Sequence, residues 1–268
     1  MGESPKKSAT EATGHMEYMA PGLRSITPYI VIRGAANLID FLKSAFDGKE
    51  RLRVPTPDGS IMHADVAIGN GAVELADANA QHHSAPADIH LYVEDCDTTY
   101  KRALQAGATS ISEPADQPWG DRWSEVKDTF GNHWYIATAG WTPGPEGIPS
   151  VQPFLHLHHA ENMVPFLEAA FGAESLGVAK SPEGQVQHGT IRIGNATLEI
   201  AEAEGAFQPK PCHLHLYVPD CDATYKLALA AGGASVDAPG DKPYGERAAA
   251  VTDPFGNTWF IATYLGHR

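Results

Sequence analysis

The sequence predicts an α+β protein made of two tandem copies of one domain, each built from two strand–helix–three-strand (βαβββ) modules. Two observations lead to this prediction. The stretch HLYVEDCDTTYKRALQAG, which starts at His90, returns 125 positions later at His215 as HLYVPDCDATYKLALAAG. The same offset aligns residues 27–138 with residues 152–263 without a gap. About two in five aligned positions are identical, far above chance for an internal comparison.

Each half begins with a strand, expected at 27–32 in the first copy, and a helix at 35–46. The apolar face of this helix consists of Leu38, Phe41, Leu42 and Ala45. The next elements are expected at 50–55, 61–68, 72–76 and 89–93 as strands and at 96–106 as a helix. Asp95 or Asp97 can cap the second helix, and Gly107 can end it. Three more strands follow, so each quarter of the chain has the same order of elements.

The two halves are separated by a segment rich in glycine and proline, AGWTPGPEGIPS. We predict a flexible tail at residues 1–24, a first domain at 25–139, a linker at 140–150 and a second domain at 151–268. Such a duplication forms a pseudo-dimer within one chain, which is compatible with a monomer in solution.

Alternation along the strands sorts the side chains onto two faces of each sheet. In HADVAIG, the apolar set Ala64, Val66 and Ile68 points to one face, and His63, Asp65 and Ala67 point to the other. The apolar set is expected to pack under the helices. The polar face of the second half carries His188, Glu199, His213, His215 and Tyr217. We expect a curved sheet around a polar cavity, although an antiparallel sheet can also turn a polar face to water.

Composition argues against several classes of function. The formal net charge is −14, from 19 basic and 33 acidic residues, which disfavours nucleic acid and anionic membrane surfaces as partners. No apolar run approaches membrane-spanning length, and the N-terminus lacks the apolar core of a secretory signal. The three cysteines, Cys96, Cys212 and Cys221, form no CxxC pair. Reduced thiols in a cytoplasmic protein are therefore expected.

The modules and five phrases of the sequence resemble the vicinal oxygen chelate (VOC) superfamily, which includes glyoxalase I, bleomycin-resistance proteins and extradiol dioxygenases. The phrases are IDFLKSAF, IMHADVAIGNGAVELAD, HLYVEDCDTTYKRALQAGA, QPWGDRW and DPFGNTWFIAT. The resemblance covers nearly everything after the tail and is nearest to bacterial two-domain glyoxalase-like proteins. It implies a tandem duplicated glyoxalase/bleomycin-resistance fold of four βαβββ modules, with curved mixed sheets and helices on the outer face. This fold hosts isomerases, dioxygenases, thiol transferases and pure binders.

The resemblance also implies where a metal would bind. Metal-using members carry ligands on the first and last strands of a module, which correspond here to Thr27, Glu74, Asp88 and Tyr135 and to Gln152, Glu199, His213 and Phe260. The more complete set is Gln152, Glu199 and His213, which could hold one divalent ion, Zn, Ni, Fe or Mn, with waters. Phe260 replaces the usual fourth ligand. Cavities could form within one half or by exchange of modules between the halves, and both arrangements stay open.

Three functions are compatible with this pattern. In the first, the protein binds a small molecule on the concave sheet face of the second half, and a metal acts as Lewis acid in a glyoxalase-type lyase, isomerase or dioxygenase. Glu199 and His188 are then the expected catalytic groups. The expected substrate-binding residues are Phe154, His215, Tyr217, Arg247 and Phe260. In the second, a metal-free protein sequesters a drug or metabolite by aromatic stacking. In the third, the protein is a scaffold that recruits a partner.

Some of these residues also have a structural interpretation. His90 and His215 occur at the same position of both halves, which fits a structural hydrogen bond as well as a catalytic role. A hairpin ion pair is the corresponding alternative for Arg247.

Overall fold

A computed structural model describes residues 16–80, 83–141 and 147–266. Module 1 consists of β1 (Ile26–Ile32), α1 (Ala35–Phe46), β2 (Lys49–Pro55), β3 (Ile61–Ile68) and β4 (Gly71–Asp77). Module 2 consists of β5 (Asp88–Tyr92), α2 (Cys96–Gln105), β6 (Thr109–Asp116), β7 (Arg122–Lys127) and β8 (His133–Thr138). The elements expected in the first half begin and end within one residue of their predicted bounds.

The second half repeats this order. Module 3 consists of β9 (Val151–Leu157), a short 3₁₀ turn (Ala160–Asn162), α3 (Met163–Phe171), β10 (Glu174–Lys180), β11 (Val186–Ile193) and β12 (Ala196–Glu202). Module 4 consists of β13 (His213–Tyr217), α4 (Cys221–Ala230), β14 (Ala234–Lys242), β15 (Glu246–Thr252) and β16 (Thr258–Tyr264). The predicted α+β fold of four modules is therefore confirmed. None of the helices in the described part of the chain has the length and apolar character needed to cross a membrane.

The two halves exchange modules to build two mixed sheets of eight strands. Sheet I has the order β14-β15-β16-β13-β1-β4-β3-β2 and so joins module 1 to module 4. Sheet II has the order β10-β11-β12-β9-β5-β8-β7-β6 and joins module 3 to module 2. The joints are antiparallel pairs, β1 with β13 and β5 with β9. Each sheet face therefore carries side chains from both halves.

At both joints, a serine of one half is hydrogen bonded to an asparagine of the other half. The backbone N–H of Ser25 donates to Oδ1 of Asn195 at 2.8 Å. At the matching place, the backbone N–H of Ser150 donates to Oδ1 of Asn70 at 2.7 Å. Each bond links a residue just before a module's first strand to the β-turn of the other half, so the pseudo-twofold arrangement is held by side chains that both copies retain.

The apolar cores lie between the helices and the outer faces of the sheets. In the first half, α1 packs on α2 and on β8, with the rings of Phe46 and Trp134 4.7 Å apart. The second half has the same arrangement around Trp259, and both tryptophans are fully buried. Helix α1 belongs to a module of sheet I and α2 to a module of sheet II. The core of each half therefore connects a module of sheet I with a module of sheet II. Hydrophobic burial thus fixes the two sheets to one another.

The repeated DxFGNxW phrase forms a buried turn before the last strand of each half. In the first copy, the carboxylate of Asp128 accepts hydrogen bonds from the backbone of Asn132 at 3.0 Å and from Nε1 of Trp134 at 3.0 Å. Oδ1 of Asn132 in turn accepts from the backbone N–H of Ala87 at 2.9 Å, next to β5. Asp253 makes the same bonds in the second copy. The phrase therefore positions the strands that carry the polar face.

The described part of the predicted tail, residues 16–24, packs against sheet I. Met19 is 4% exposed and clusters with Tyr217, Ala248 and Ala262. Nη1 of Arg51 donates to the carbonyl of Gly22 at 2.6 Å. This segment thus lies across the concave face of sheet I. Residues 1–15 of the tail and 142–146 of the linker lie outside the described residues.

Candidate functional site

The concave face of sheet I carries a carboxylate between two histidines. Nδ1 of His215 lies 2.7 Å from Oε2 of Glu74, which is 1% exposed. Nε2 of His63 lies 3.7 Å from Oε1 of the same carboxylate. Nε2 of His215 lies 3.7 Å from Oε2 of Glu246, and Oε1 of the same glutamate accepts a hydrogen bond from the hydroxyl of Tyr217. Since Glu74 and His215 belong to different halves, the module exchange assembles this cluster.

Sheet II carries the matching cluster. Nδ1 of His90 lies 2.8 Å from Oε2 of Glu199, and Nε2 of His188 lies 3.6 Å from the same oxygen. The hydroxyl of Tyr92 donates to Oδ2 of Asp121 at 3.2 Å. Nε2 of His90 is buried with no hydrogen-bond partner among the residues described, whereas its counterpart in His215 has the carboxylate of Glu246 at 3.7 Å. The two faces are therefore similar in composition but differ in what surrounds this nitrogen.

Electrostatic coupling fixes the charges of both clusters. Burial raises the pKa of Glu199, but His90 and His188 outweigh burial and lower this pKa to about 2. Burial lowers the pKa of His215, whereas Glu74 raises it more strongly, to about 9. The pKa of His188 is raised, chiefly by its interaction with the carboxylate of Glu199. At neutral pH Glu199 is thus a carboxylate and His215 an imidazolium.

Aromatic side chains form a wall on sheet II beside the polar cluster. The ring of Tyr135 on β8 lies 5.3 Å from that of Phe154 on β9 and 6.4 Å from that of Phe207. Phe207 also stacks on His156, with ring centroids 5.1 Å apart and planes 19° apart. Phe207 is 38% exposed and lies in the loop between β12 and β13. This loop therefore completes the wall from outside the sheet.

A second residue of the same loop neutralises the carboxylate of Asp88 on β5. Nζ of Lys210 lies 2.6 Å from Oδ1, and Nδ1 of His156 lies 3.1 Å from Oδ2. Burial raises the pKa of Asp88, but the hydrogen bonds from His156 and Lys210 reverse this effect and lower it. The Lys210–Asp88 bond therefore connects this loop of the second half to β5 of the first half, which lies in sheet II.

An open groove of about 520 Å³ adjoins the Glu199 cluster at the β10–β11 edge of sheet II. It is lined by Leu176, Gly177, Val178, Ala179, His188 and Thr190. The side chain of His188 is 46% exposed, whereas that of Glu199 is 4% exposed. His188 is therefore the member of the cluster that connects the buried carboxylate with the groove.

The structure does not bring the three predicted metal ligands together. Gln152 and Glu199 lie on neighbouring strands of sheet II, whereas His213 lies on β13 in sheet I. Oε1 of Gln152 accepts a hydrogen bond from the hydroxyl of Thr197. The ring of His213 meets that of Phe260 edge to face at 5.7 Å. The module exchange separates these three residues, because β9 and β13 belong to different sheets. They therefore do not line one cavity within the second half, as the sequence led us to expect.

The residues at the expected ligand positions do not fit a divalent ion. Within residues 16–80, 83–141 and 147–266, no three His, Cys, Asp or Glu side chains are grouped so that they could hold a metal. Glu74 faces an imidazolium, His215, which has no free lone pair for a metal. Glu199 faces two histidines, and Asp88 is bound to the ammonium of Lys210. An ion would have to displace these internal partners.

The predicted substrate-binding residues divide between the two sheets. Phe154 lies in the aromatic wall of sheet II. His215 and Tyr217 lie in sheet I and are bonded to glutamates. Phe260, also in sheet I, packs its ring 5.3 Å from that of Tyr29. The structure therefore groups only Phe154 with Glu199 and His188.

Arg247 lies away from both concave faces. It alternates along β15 with Glu246, which faces Tyr217, and therefore points toward the helices. Nη2 of Arg247 donates to Oδ1 of Asp222 at the start of α4 at 2.8 Å, and Nη1 donates to Oδ1 of Asp241 at 3.0 Å. Arg247 thus forms the hairpin ion pair that was the structural alternative, with Asp241, and a further ion pair with Asp222 of α4.

Sequence reasoning missed Phe207 and Lys210. Both lie in the segment EGAFQPKPC, whose counterpart in the first half reads NAQHHSAPA. The copies share only one residue there, although the strands on both sides match well. The sequence signal for these two residues was therefore a loop that differs between two otherwise well-matched copies.

Comparisons with known proteins agree with this architecture. A family model described as the Glyoxalase/Bleomycin resistance protein/Dioxygenase superfamily matches residues 24–136 and 155–261. An uncharacterised protein of Mycobacterium bovis is 41% identical over 123 residues, which cover 42% of this chain and 81% of that protein. Glyoxalase I from Zea mays is 18% identical with a TM-score of 0.69, and the match covers 89% of this chain and 92% of that one.

A candidate dioxygenase from Bacillus subtilis has a TM-score of 0.60 at 14% identity, with coverage of 91% of this chain and 87% of that chain. At such identities the structural likeness concerns the fold alone, since one fold hosts many reactions.

Proposed function

The chain belongs to the glyoxalase/bleomycin resistance protein/dioxygenase superfamily, and on that premise we propose that it binds a small planar molecule on the concave face of sheet II. The aromatic wall beside a buried polar cluster carries this proposal. Tyr135, Phe154 and Phe207 offer ring faces and edges on which a planar ligand can stack. The carboxylates of Glu199 and Asp88 already have partners within the chain. A ligand without net charge is favoured, because it adds no uncompensated charge to a buried site.

Sheet I is the weaker candidate because the chain itself occupies its concave face. Met19 is buried there against Tyr217, Ala248 and Ala262. A ligand on this face would have to expel an apolar side chain whose burial stabilises the fold by about 1.5–3 kcal/mol. On sheet II, by contrast, the wall is completed by Phe207, which is 38% exposed and can adapt to a bound ring.

Thermal-shift and calorimetric screening would test the proposal. The panel contains planar heterocycles, catechols, α-ketoaldehyde–thiol adducts and glycopeptide drugs, each measured with EDTA and with added Zn²⁺, Ni²⁺, Fe²⁺ or Mn²⁺. We expect a planar, uncharged compound to stabilise the protein in EDTA, by about 2.7 kcal/mol at a concentration of about 100 times its Kd. Strict dependence of all binding on metal, or a panel without any binder, would contradict the proposal.

A matched pair of variants locates the ligand. Phe154 in sheet II and Tyr29 in sheet I occupy equivalent positions of the repeat. Phe154→Leu removes an aromatic face from the proposed site and should weaken binding about tenfold. Tyr29→Leu should leave the affinity unchanged. The reverse pattern would place the ligand on sheet I.

A second candidate function is acid–base catalysis by a lyase or isomerase, favoured by the position of His188. Its imidazole is half-exposed, lies in the groove and has a raised pKa next to Glu199. His188 would remove a proton from a carbon beside a carbonyl and return it to the neighbouring carbon, while Glu199 stabilises the imidazolium. Deuterium uptake by the adduct of methylglyoxal and glutathione, followed by NMR, would test this. Equal uptake with wild type and His188→Gln would contradict it.

A further inference from the structure

Two buried polar atoms on sheet II have no hydrogen-bond partner in the described part of the structure, Nε2 of His90 and the hydroxyl of Tyr135. His90 is 7% exposed and Tyr135 is 2% exposed. The two residues are direct register partners on β5 and β8, so their side chains lie next to each other on the concave face. An unsatisfied buried polar group costs about 1–3 kcal/mol. Two such atoms on neighbouring residues therefore require an explanation.

The internal repeat supplies a comparison for these atoms. Their counterparts in sheet I are His215 and Phe260. Nε2 of His215 faces Glu246 at 3.7 Å, whereas sheet II has Asp121 in place of Glu246, one methylene shorter and bonded to other side chains. Phe260 carries no hydroxyl. In sheet I, therefore, a glutamate carboxylate faces the histidine Nε2 and the paired residue has no hydroxyl, whereas in sheet II both polar atoms are buried without a hydrogen-bond partner among the residues described.

The polarity of the two atoms defines what would satisfy them. Nδ1 of His90 faces the Glu199 carboxylate at 2.8 Å and is assigned as the donor of that bond, so Nε2 is the acceptor in the ring tautomer that carries a single N–H. Burial raises the pKa of Tyr135, so its hydroxyl stays protonated and can donate. A ligand must therefore present a donor to His90 and, beside it, an acceptor to Tyr135. The edge of a planar amide or lactam has this pair of groups.

We propose that His90 and Tyr135 form a polar anchor for the amide or lactam edge of a planar, uncharged ring. This inference rests on the proposed function and names the ligand class of the same site. The ring of such a ligand packs against Phe154 and Phe207, whose ring centroids lie 5.3 and 6.4 Å from that of Tyr135. Phe207 belongs to a loop, so it can move aside for the ligand without opening the core.

Calorimetry with two matched probes tests the anchor. The bicyclic lactam isoquinolin-1(2H)-one has an N–H and a C=O on one edge, and its N-methyl derivative lacks the donor. Wild type should bind the lactam about tenfold more tightly than the N-methyl compound. Tyr135→Phe should weaken lactam binding about tenfold. Asp121→Glu places a glutamate near Nε2 of His90, as Glu246 is placed near Nε2 of His215, and should weaken lactam binding similarly.

Control variants separate the anchor from general effects on the fold. Glu246→Asp makes the reciprocal change in sheet I and should leave lactam affinity unchanged. Tyr135→Phe removes an unsatisfied hydroxyl, so its free energy of unfolding should equal or exceed that of wild type. If Asp121→Glu does not fold, Tyr135→Phe and the N-methyl probe decide the question.

Three results would overturn the anchor. They are a wild-type protein that does not bind the lactam, equal affinity of wild type for the lactam and its N-methyl derivative, and unchanged lactam affinity in Tyr135→Phe. If other planar compounds then still bind in a Phe154-dependent manner, the proposed function survives without the anchor. If no compound of the larger panel binds, the proposed function fails as well.

Discussion

Replacing Glu74 with glutamine should remove a pH-dependent contribution to stability that spans the two halves. Glu74 is 1% exposed, and its Oε2 lies 2.7 Å from Nδ1 of His215. The pKa of His215 is about 9, above the ordinary value of 6.5, so the folded state holds this proton more tightly than the unfolded chain. The stabilisation is fully present below about pH 6.5 and is lost as the pH rises through about 9.

The magnitude follows from the two pKa values. The difference between about 9 and 6.5, at about 1.4 kcal/mol per unit of pKa, amounts to roughly 3 kcal/mol. His215 is 8% exposed, so solvent screens the pair only weakly. In Glu74→Gln the neutral amide no longer raises the pKa of His215, and burial lowers it. Glu246, at 3.7 Å from Nε2, and the hydroxyl of Tyr217 remain, so a small part of the pH dependence persists.

Urea unfolding at several pH values between about 6 and about 9.5 measures this effect. The free energy of unfolding of wild type should fall over this range by roughly 3 kcal/mol more than that of Glu74→Gln. His215→Gln lacks the titrating group and should show the same reduced dependence. A difference between wild type and Glu74→Gln that stays constant from low to high pH would refute the reasoning.

Three further predictions concern the fold. Met19→Ala should lower the free energy of unfolding by about 2–5 kcal/mol in urea titrations, because it empties a buried position on sheet I; an unchanged midpoint would contradict the packing of residues 16–24. Trp134→Phe leaves Oδ2 of Asp128 without its indole donor and should cost about 1–3 kcal/mol, measured in the same way; a neutral change would count against the buried turn. Residues 151–268 expressed alone should dimerise in light scattering, because β9 and β13 lose their partners; a stable monomer would contradict the exchange.

The modules could be predicted because local patterns determine them. The helix Ala35–Phe46 and the strand Ile61–Ile68 have the bounds that apolar periodicity and the flanking glycines indicate. The pairing of the modules could not be predicted. The strands β5 and β13 both contain the sequence HLY, so each offers β1 a strand edge of nearly the same sequence. Strand β1 could form the same backbone hydrogen bonds with β5 or with β13, so the choice between them depends on contacts across the whole chain.

The polar character of the concave faces could also be read from strand alternation, but not the composition of each site. Glu199 and His188 lie on adjacent strands of one module, so their proximity follows from local order. His90 comes from the other half, and its bond to Glu199 exists only because the modules exchange. His213 is separated from Glu199 for the same reason. Predicting a site between modules requires the sheet partners, which the repeat leaves ambiguous.

Histidine-selective ¹⁵N NMR tests the central claim that the ligand lies on sheet II most directly. Spectra that resolve the ring nitrogens are recorded without and with the tightest planar compound of the panel. We predict that the Nε2 resonance of His90 shifts on binding, because the ligand supplies its missing hydrogen bond, while both ring nitrogens of His215 stay in place. A shift of His215 with an unchanged His90 would contradict the account.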